Sequence, residues 1–138
     1  MNRIMKIRNM LFGAVAVAAV AVGMTSGGKT DGVMTRTADG TYVVNTTTLA
    51  PTVKGYAGAT PLKIYIKDDH VVKIEALPNK ETPGVFARAK KLFGKWTGRQ
   101  VGEASSQKPD AVSGATYSSN AIKENVKRGL AYYRKHKK

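Results

Sequence analysis

The chain has 138 residues, with 23 Lys plus Arg against 9 Asp plus Glu, a formal net charge of +14 and no cysteine. That length holds one ordinary domain, and the missing cysteines exclude disulfides, thiolate metal sites, Cys-ligated iron–sulfur clusters, c-type haem attachment and a Cys nucleophile. A hydrophobic fraction of 42% excludes disorder of the whole chain, while the positive charge points to acidic partners: nucleic acid, anionic lipid or an acidic protein.

Residues 1–9 carry Arg3, Lys6 and Arg8 with no acid, and residues 10–24 (MLFGAVAVAAVAVGM) carry no charge. A basic start followed by a short apolar run predicts a secretory signal peptide over residues 1–24. The run is shorter than the roughly twenty residues of a membrane-spanning helix, and Ala19 and Ala21 supply an A-x-A-like cleavage site. The alternative is an uncleaved anchor through residues 10–24. Either way the expected location is exported, periplasmic or extracytoplasmic. Residues 25–40 (TSGGKTDGVMTRTADG) are dominated by Gly, Thr, Ser and Asp and read as a flexible linker. The folded domain is then expected over residues 41–138. Most of the charge belongs to it, because only three basic residues precede residue 25.

Residues 41–44 and 53–56 are short β-prone runs, and the Asn45-Thr46-Thr47 sequon between them reads as a polar turn. Leu62, Ile64 and Ile66 alternate with Lys63, Tyr65 and Lys67. After a turn at Asp68-Asp69-His70, Val72, Ile74 and Ala76 alternate with Lys73 and Glu75, which predicts a β-hairpin. Thr82-Pro83 opens a helix, Thr as N-cap and Pro at the first helical position. Its apolar stripe is Val85, Phe86, Ala89, Leu92, Phe93 and Trp96. Residues 97–109 read as a loop with a short strand near Gln100 and Val101. A last helix is expected to start at Ser118 or Ser119, either acting as its cap. Its buried stripe is Ile122, Val126, Gly129, Leu130 and Tyr133, and cations close it. Strands followed by helices predict an α+β fold: a small, mostly antiparallel sheet with a central β-hairpin, packed by two main helices.

The chemistry-bearing residues are few. His70 and His136 have no partner histidine at metal-ligand spacing, and no Walker, G-x-G-x-x-G or G-x-S-x-G motif is present. Two basic clusters, over residues 88–99 and 123–138, lie on helices whose other faces are apolar, so they read first as solvated faces. Residues 110–120 (DAVSGATYSSN) stand apart as a hydroxyl-rich loop with a flexible Gly114, running into a helix N-terminus. Unpaired N–H groups and the helix dipole favour an anion there, typically phosphate. A plain Ser-rich cap loop is the simpler reading of the same residues.

S-G-A-T after an Asp, followed by S-S-N-A-I, resembles the flavinylation motif of the FMN-binding domain family. That family includes the covalent-FMN subunits of sodium-pumping NADH:quinone oxidoreductase and Rnf-type complexes, and flavin-bearing domains of exported reductases. Gly55-Tyr56 and Gly58 ahead of the hairpin, and Glu81-Thr82-Pro83-Gly84 after it, are similar to the family's elements in the same order. The likeness covers roughly residues 55–133. It implies FMN in phosphoester linkage on Thr116, attached by a magnesium-dependent flavin transferase that uses FAD. Implied cofactor contacts are Ser113, Gly114, Ala115, Tyr117, Ser118 and Ser119, with Glu81 and Thr82 lining the flavin pocket. Asp110 braces the loop or is read by the transferase. Tyr117, Trp96 and Tyr56 are the candidates for stacking on the flavin. No metal ligand and no separate catalytic residue are implied.

The expected function is therefore that of an exported small flavoprotein. It would transfer electrons to or from an acidic redox partner protein or membrane electron-transfer complex, with no nucleic acid involved. The rival readings are a minimal FMN-dependent reductase of a small acceptor and a cofactor-free polyanion-binding module.

Overall fold

The computed structural model describes residues 32–138. The expected signal segment, residues 1–24, lies outside the described residues. Four strands form one antiparallel sheet in the order β1 (Met34–Arg36), β2 (Tyr42–Asn45), β3 (Leu62–Lys67) and β4 (His70–Ala76). Each strand pairs with its sequence neighbour. The fold is α+β, completed by α1 (Pro83–Ala89), α2 (Val101–Ser105) and α3 (Thr116–His136), with a 3₁₀ turn over Lys90–Lys95 continuing α1.

Several local expectations change. Met34–Arg36 falls in the stretch read as linker, yet it pairs with β2, Met34 opposite Val44. The β-prone run at 53–56 forms no strand; Lys54 and Ala59 make only an isolated bridge around a turn. The expected strand near Gln100 is a single bridge to His70, after which the chain turns into α2. Asn45 uses its side chain locally, accepting from the backbone N–H of Thr47 at 2.9 Å, which closes the polar turn.

The hairpin forms as expected, but one residue of its inward face is displaced. Asp68 and Asp69 both take positive φ, 50° and 63°, in the tight turn. A bulge lies where Tyr65 faces Lys73 and Ile66 faces Val71, so Val72 has no opposite number. One extra residue flips the side chains beyond it to the other face. Val71 and Ile74 are therefore buried, whereas Val72, expected inside, is 47% exposed.

The core lies between the sheet's inner face and the helices. Leu62, Ile64 and Ile66 of β3 meet Ile122, Val126 and Leu130 of α3, all fully buried or nearly so. Each such side chain contributes about 1.5–3 kcal/mol of burial. A buried polar pin fixes the position of α3. The Thr46 hydroxyl donates to Asn125 Oδ1 and accepts from Leu62 N–H at 2.9 Å, while Asn125 Nδ2 donates to the Ala121 carbonyl at 2.9 Å.

Close approach depends on Gly129. A Cβ there would stand 2.5 Å from Ile64 Cδ1 and 3.1 Å from Thr46 Cγ2, both on fully buried side chains. Gly129→Val is expected to destabilise the fold by about 1–3 kcal/mol through overpacking, despite its better helix propensity. Urea unfolding checks this, and a midpoint equal to the parent's would mean that α3 is free to lift off the sheet.

Candidate functional site

The N-terminus of α3 is the place where the singled-out residues meet. The helix starts at Thr116, not at Ser118 or Ser119, with Ala115 at the N-cap position and no side chain capping it. The reason is that both serines are committed elsewhere. Ser118 is buried and donates its hydroxyl to Glu81 Oε1. Ser119 is also buried, and its Oγ accepts from the Val112 backbone N–H at 3.0 Å, which anchors the incoming loop. The 21-residue helix thus presents a first turn with no side-chain cap, where N–H groups and dipole favour an anion.

Thr116 sits on this turn, exposed, and its hydroxyl makes no hydrogen bond to any described residue. Gly114 precedes it at φ +78°, a left-handed conformation that glycine adopts without strain. Above Gly114 lies a residue that the sequence reading placed only in a basic cluster. The Arg88 guanidinium comes within 3.5 Å of the Gly114 carbonyl, bringing a fixed cation beside the loop. Nothing in the linear pattern distinguishes Arg88 from its basic neighbours; only the packing of α1 against α3 does.

Glu81 holds the other side together. Its carboxylate accepts from the backbone N–H groups of Tyr56 (2.8 Å), Ala57 (2.6 Å) and Gly58 (3.1 Å), as well as from Ser118. Gly55 is needed for this approach, because a Cβ there would overlap the carboxylate. Burial alone would push the Glu81 carboxyl up, but the bonds from Ser118, Ala57, Tyr56 and Gly58 outweigh it and hold the group below its ordinary value of 4.5. So one buried carboxylate clamps the residue 55–58 turn to the first turn of α3.

The clamp brings two aromatics together at the surface. Tyr56 is 79% and Tyr117 65% exposed, with ring centroids 6.1 Å apart and planes at 45°. Trp96, the third stacking candidate, is buried in the core at 3% exposure. The remaining candidates are near but do less. Ser113 is exposed in the loop, and Ala115 is buried beneath it. Thr82 is the N-cap of α1 through its carbonyl, which accepts from Phe86 N–H at 2.8 Å; its side chain makes no cap bond. Asp110 is exposed on a cleft that Lys91 and Lys95 also line, and the loop is braced by Ser119 rather than by Asp110.

The histidines are used locally. The Nδ1 of His70 contacts the Asp68 carbonyl at 2.8 Å, and His136 stacks on Tyr132 at 3.9 Å. Among the described residues, no group of three or more His, Asp or Glu side chains is placed to hold a metal.

The arrangement suits a phosphate ester with a planar aromatic body. It offers a free hydroxyl on a helix N-terminus, a guanidinium beside Gly114 in the preceding loop, and two exposed rings, one of them on the residue after Thr116. A family model described as FMN-binding domain matches residues 55–131, more than half of the chain. No curated protein and no solved structure matches it.

Proposed function

The chain belongs to the FMN-binding domain family, and on that premise we propose that it is an exported electron-transfer protein carrying FMN in phosphoester linkage on Thr116. The observation that supports this most is the exposed, unbonded Thr116 hydroxyl on the first turn of α3, a turn that no side chain caps, two residues past Gly114, whose carbonyl the Arg88 guanidinium approaches. The phosphodiester keeps one negative charge, which the helix N-terminus and Arg88 both favour.

A separate magnesium-dependent flavin transferase completes the maturation with FAD as donor. The Thr116 oxygen forms the bond to the FMN-side phosphorus, the pyrophosphate bond breaks, AMP leaves, and the hydroxyl proton passes to the transferase. FMN supplies the redox chemistry when attached. The chain's own residues supply position: Glu81 and Ser118 fix the attachment turn, and the exposed Tyr56 and Tyr117 rings would contact the isoalloxazine. A covalent tether suits an exported protein, from which a dissociable cofactor is lost.

The cations of α1 and its 3₁₀ extension define the partner side. Lys90, Lys91 and Lys95 are exposed, on the same segment that carries Arg88 to the loop. They steer an acidic redox protein towards the flavin. Electron transfer from the reduced protein to an acidic acceptor protein is expected to slow as salt rises. Lys91→Glu with Lys95→Glu is expected to lower its bimolecular rate about tenfold and flatten that dependence. Stopped-flow absorbance checks both, and an unchanged rate would place docking elsewhere.

The reading itself is tested by producing the full chain together with an active transferase. The protein is expected to remain yellow and fluorescent on a denaturing gel, and to be reversibly reduced and reoxidised. A colourless denatured band would remove the covalent assignment.

A further inference from the structure

Residues 54–59 are held to the protein in an unusual way. None of them is buried. The chain is anchored on either side of them. The Val53 N–H donates to the Ala50 carbonyl at 3.2 Å, and Thr60 is buried, its hydroxyl 3.5 Å from Asn125 Nδ2. Between these anchors the segment closes on itself, through the bond from the Gly55 N–H to the Gly58 carbonyl at 2.8 Å and the isolated bridge of Lys54 with Ala59.

Its ties to the rest of the molecule converge on one side chain. The N–H groups of Tyr56, Ala57 and Gly58 all donate to Glu81, and among the described residues no other side chain hydrogen-bonds to the segment. A segment that buries no side chain and depends on one acceptor opens at low cost, and its three bonds break together when that acceptor moves. At its tip Tyr56 is 79% exposed, with its ring set against the exposed ring of Tyr117. Two exposed rings side by side form an apolar plate that a planar ligand can cover.

We propose that residues 54–59 are a flap, latched by Glu81, that opens as a unit and closes over the ring of the attached flavin. The closing half rests on the covalent FMN reading above. A ring seated against Tyr117 meets Tyr56 only while the flap is closed, so the attached flavin shifts the flap towards its closed state. The closed flap shields one side of the ring from water. Two glycines of the segment supply a matched pair of probes. A Cβ on Gly55 would overlap the Glu81 carboxylate, whereas one on Gly58 would meet nothing within 4 Å beyond its chain neighbours. Neither residue takes a positive φ. Gly55→Ala therefore displaces the latch, and Gly58→Ala adds the same methyl group without touching it.

The test is native-state amide hydrogen exchange of the full chain, produced without and with an active transferase, the loading of each sample being read from its intact mass. In the unlabelled chain the Tyr56, Ala57 and Gly58 amides are expected to exchange about tenfold or more faster than the Ile64 amide, at rates that do not change with low urea. Flavin loading is expected to slow these three amides about tenfold or more. Gly55→Ala is expected to speed them about tenfold or more, and Gly58→Ala to leave them as in the parent. In the loaded proteins, iodide should quench flavin emission more steeply in Gly55→Ala than in Gly58→Ala. Exchange of the three amides with the urea dependence of Ile64 overturns the proposal, because the segment then opens only with the core. So do rates that loading leaves unchanged, or that are equal in the two glycine variants. A chain that takes no flavin counts against the covalent assignment and removes the closing half, while the urea dependence of the unlabelled chain decides separately whether the flap opens as a unit.

Discussion

Thr116→Ala, produced together with an active flavin transferase, is expected to lose covalent flavin completely while folding as the parent does. The side chain is exposed and unbonded, so the substitution removes a nucleophile and no packing. A change in unfolding free energy within about 0.5 kcal/mol is expected. Ser113→Ala is the matched control. Ser113 offers a second exposed hydroxyl three residues earlier, but it precedes Gly114 and lies off the helix. Its substitution should leave the in-gel fluorescence intact. If Ser113→Ala loses the label and Thr116→Ala keeps it, the attachment point is the loop and not the helix turn.

Glu81→Gln is expected to have the largest structural effect of any single polar substitution at the site. The carboxylate takes three backbone N–H donors and the Ser118 hydroxyl. An amide retains one oxygen and turns an NH₂ group towards donors that need an acceptor. Hydrogen bonds to a charged group contribute about 1.5–3 kcal/mol, and stranded buried donors cost about 1–3 kcal/mol. A loss of about 2–4 kcal/mol is therefore expected in urea unfolding, some of it recovered where the residue 55–58 turn finds water. Because the clamp sets the position of the α3 first turn, flavin loading should also slow.

The same carboxylate sets an acid limit. Its folded-state pKa lies below the ordinary value of 4.5, so its stabilisation is fully present above that value and is lost as the pH falls through the folded pKa. Asp69 acts in the same direction. Burial raises it, but hydrogen bonds from Lys137, Tyr133 and Gln100 prevail and hold it below 3.8. Stability should thus be flat from neutral pH to about 5 and fall below about 4.5. In Glu81→Gln the fall should be shallower. An equal slope in parent and variant would show that other carboxylates control it.

The periodic signals of β3 and of α3 carried through to the structure. The alternation of Leu62, Ile64 and Ile66, and the stripe of Ile122, Val126, Gly129, Leu130 and Tyr133, both became buried faces. Failures came where long-range partners overrode local chemistry. Ser118 and Ser119 look like caps by position, yet each is drawn inward by a distant partner, Glu81 and the Val112 N–H. Val72 follows the alternation, but it is the extra residue of a bulge in β4, which turns it to the outer face. Met34–Arg36 has loop-like neighbours and becomes a strand only because β2 offers it an edge.

Within the candidate site, Thr116, Gly114 and Glu81 were legible through their motifs. Arg88 was not, because its role depends on where α1 lies against α3. The choice among the aromatics needed burial as well. Trp96 reads in sequence as readily as Tyr56 or Tyr117, and only its enclosure in the core separates it from them.

The most direct test of the central claim is the intact mass of the protein produced with an active transferase, followed by fragmentation to locate any added group. The account predicts an increase equal to one FMN less one water, carried entirely by the peptide containing Thr116. An unmodified mass under conditions in which the transferase labels another substrate would contradict it, and so would a flavin mapped to any residue other than Thr116.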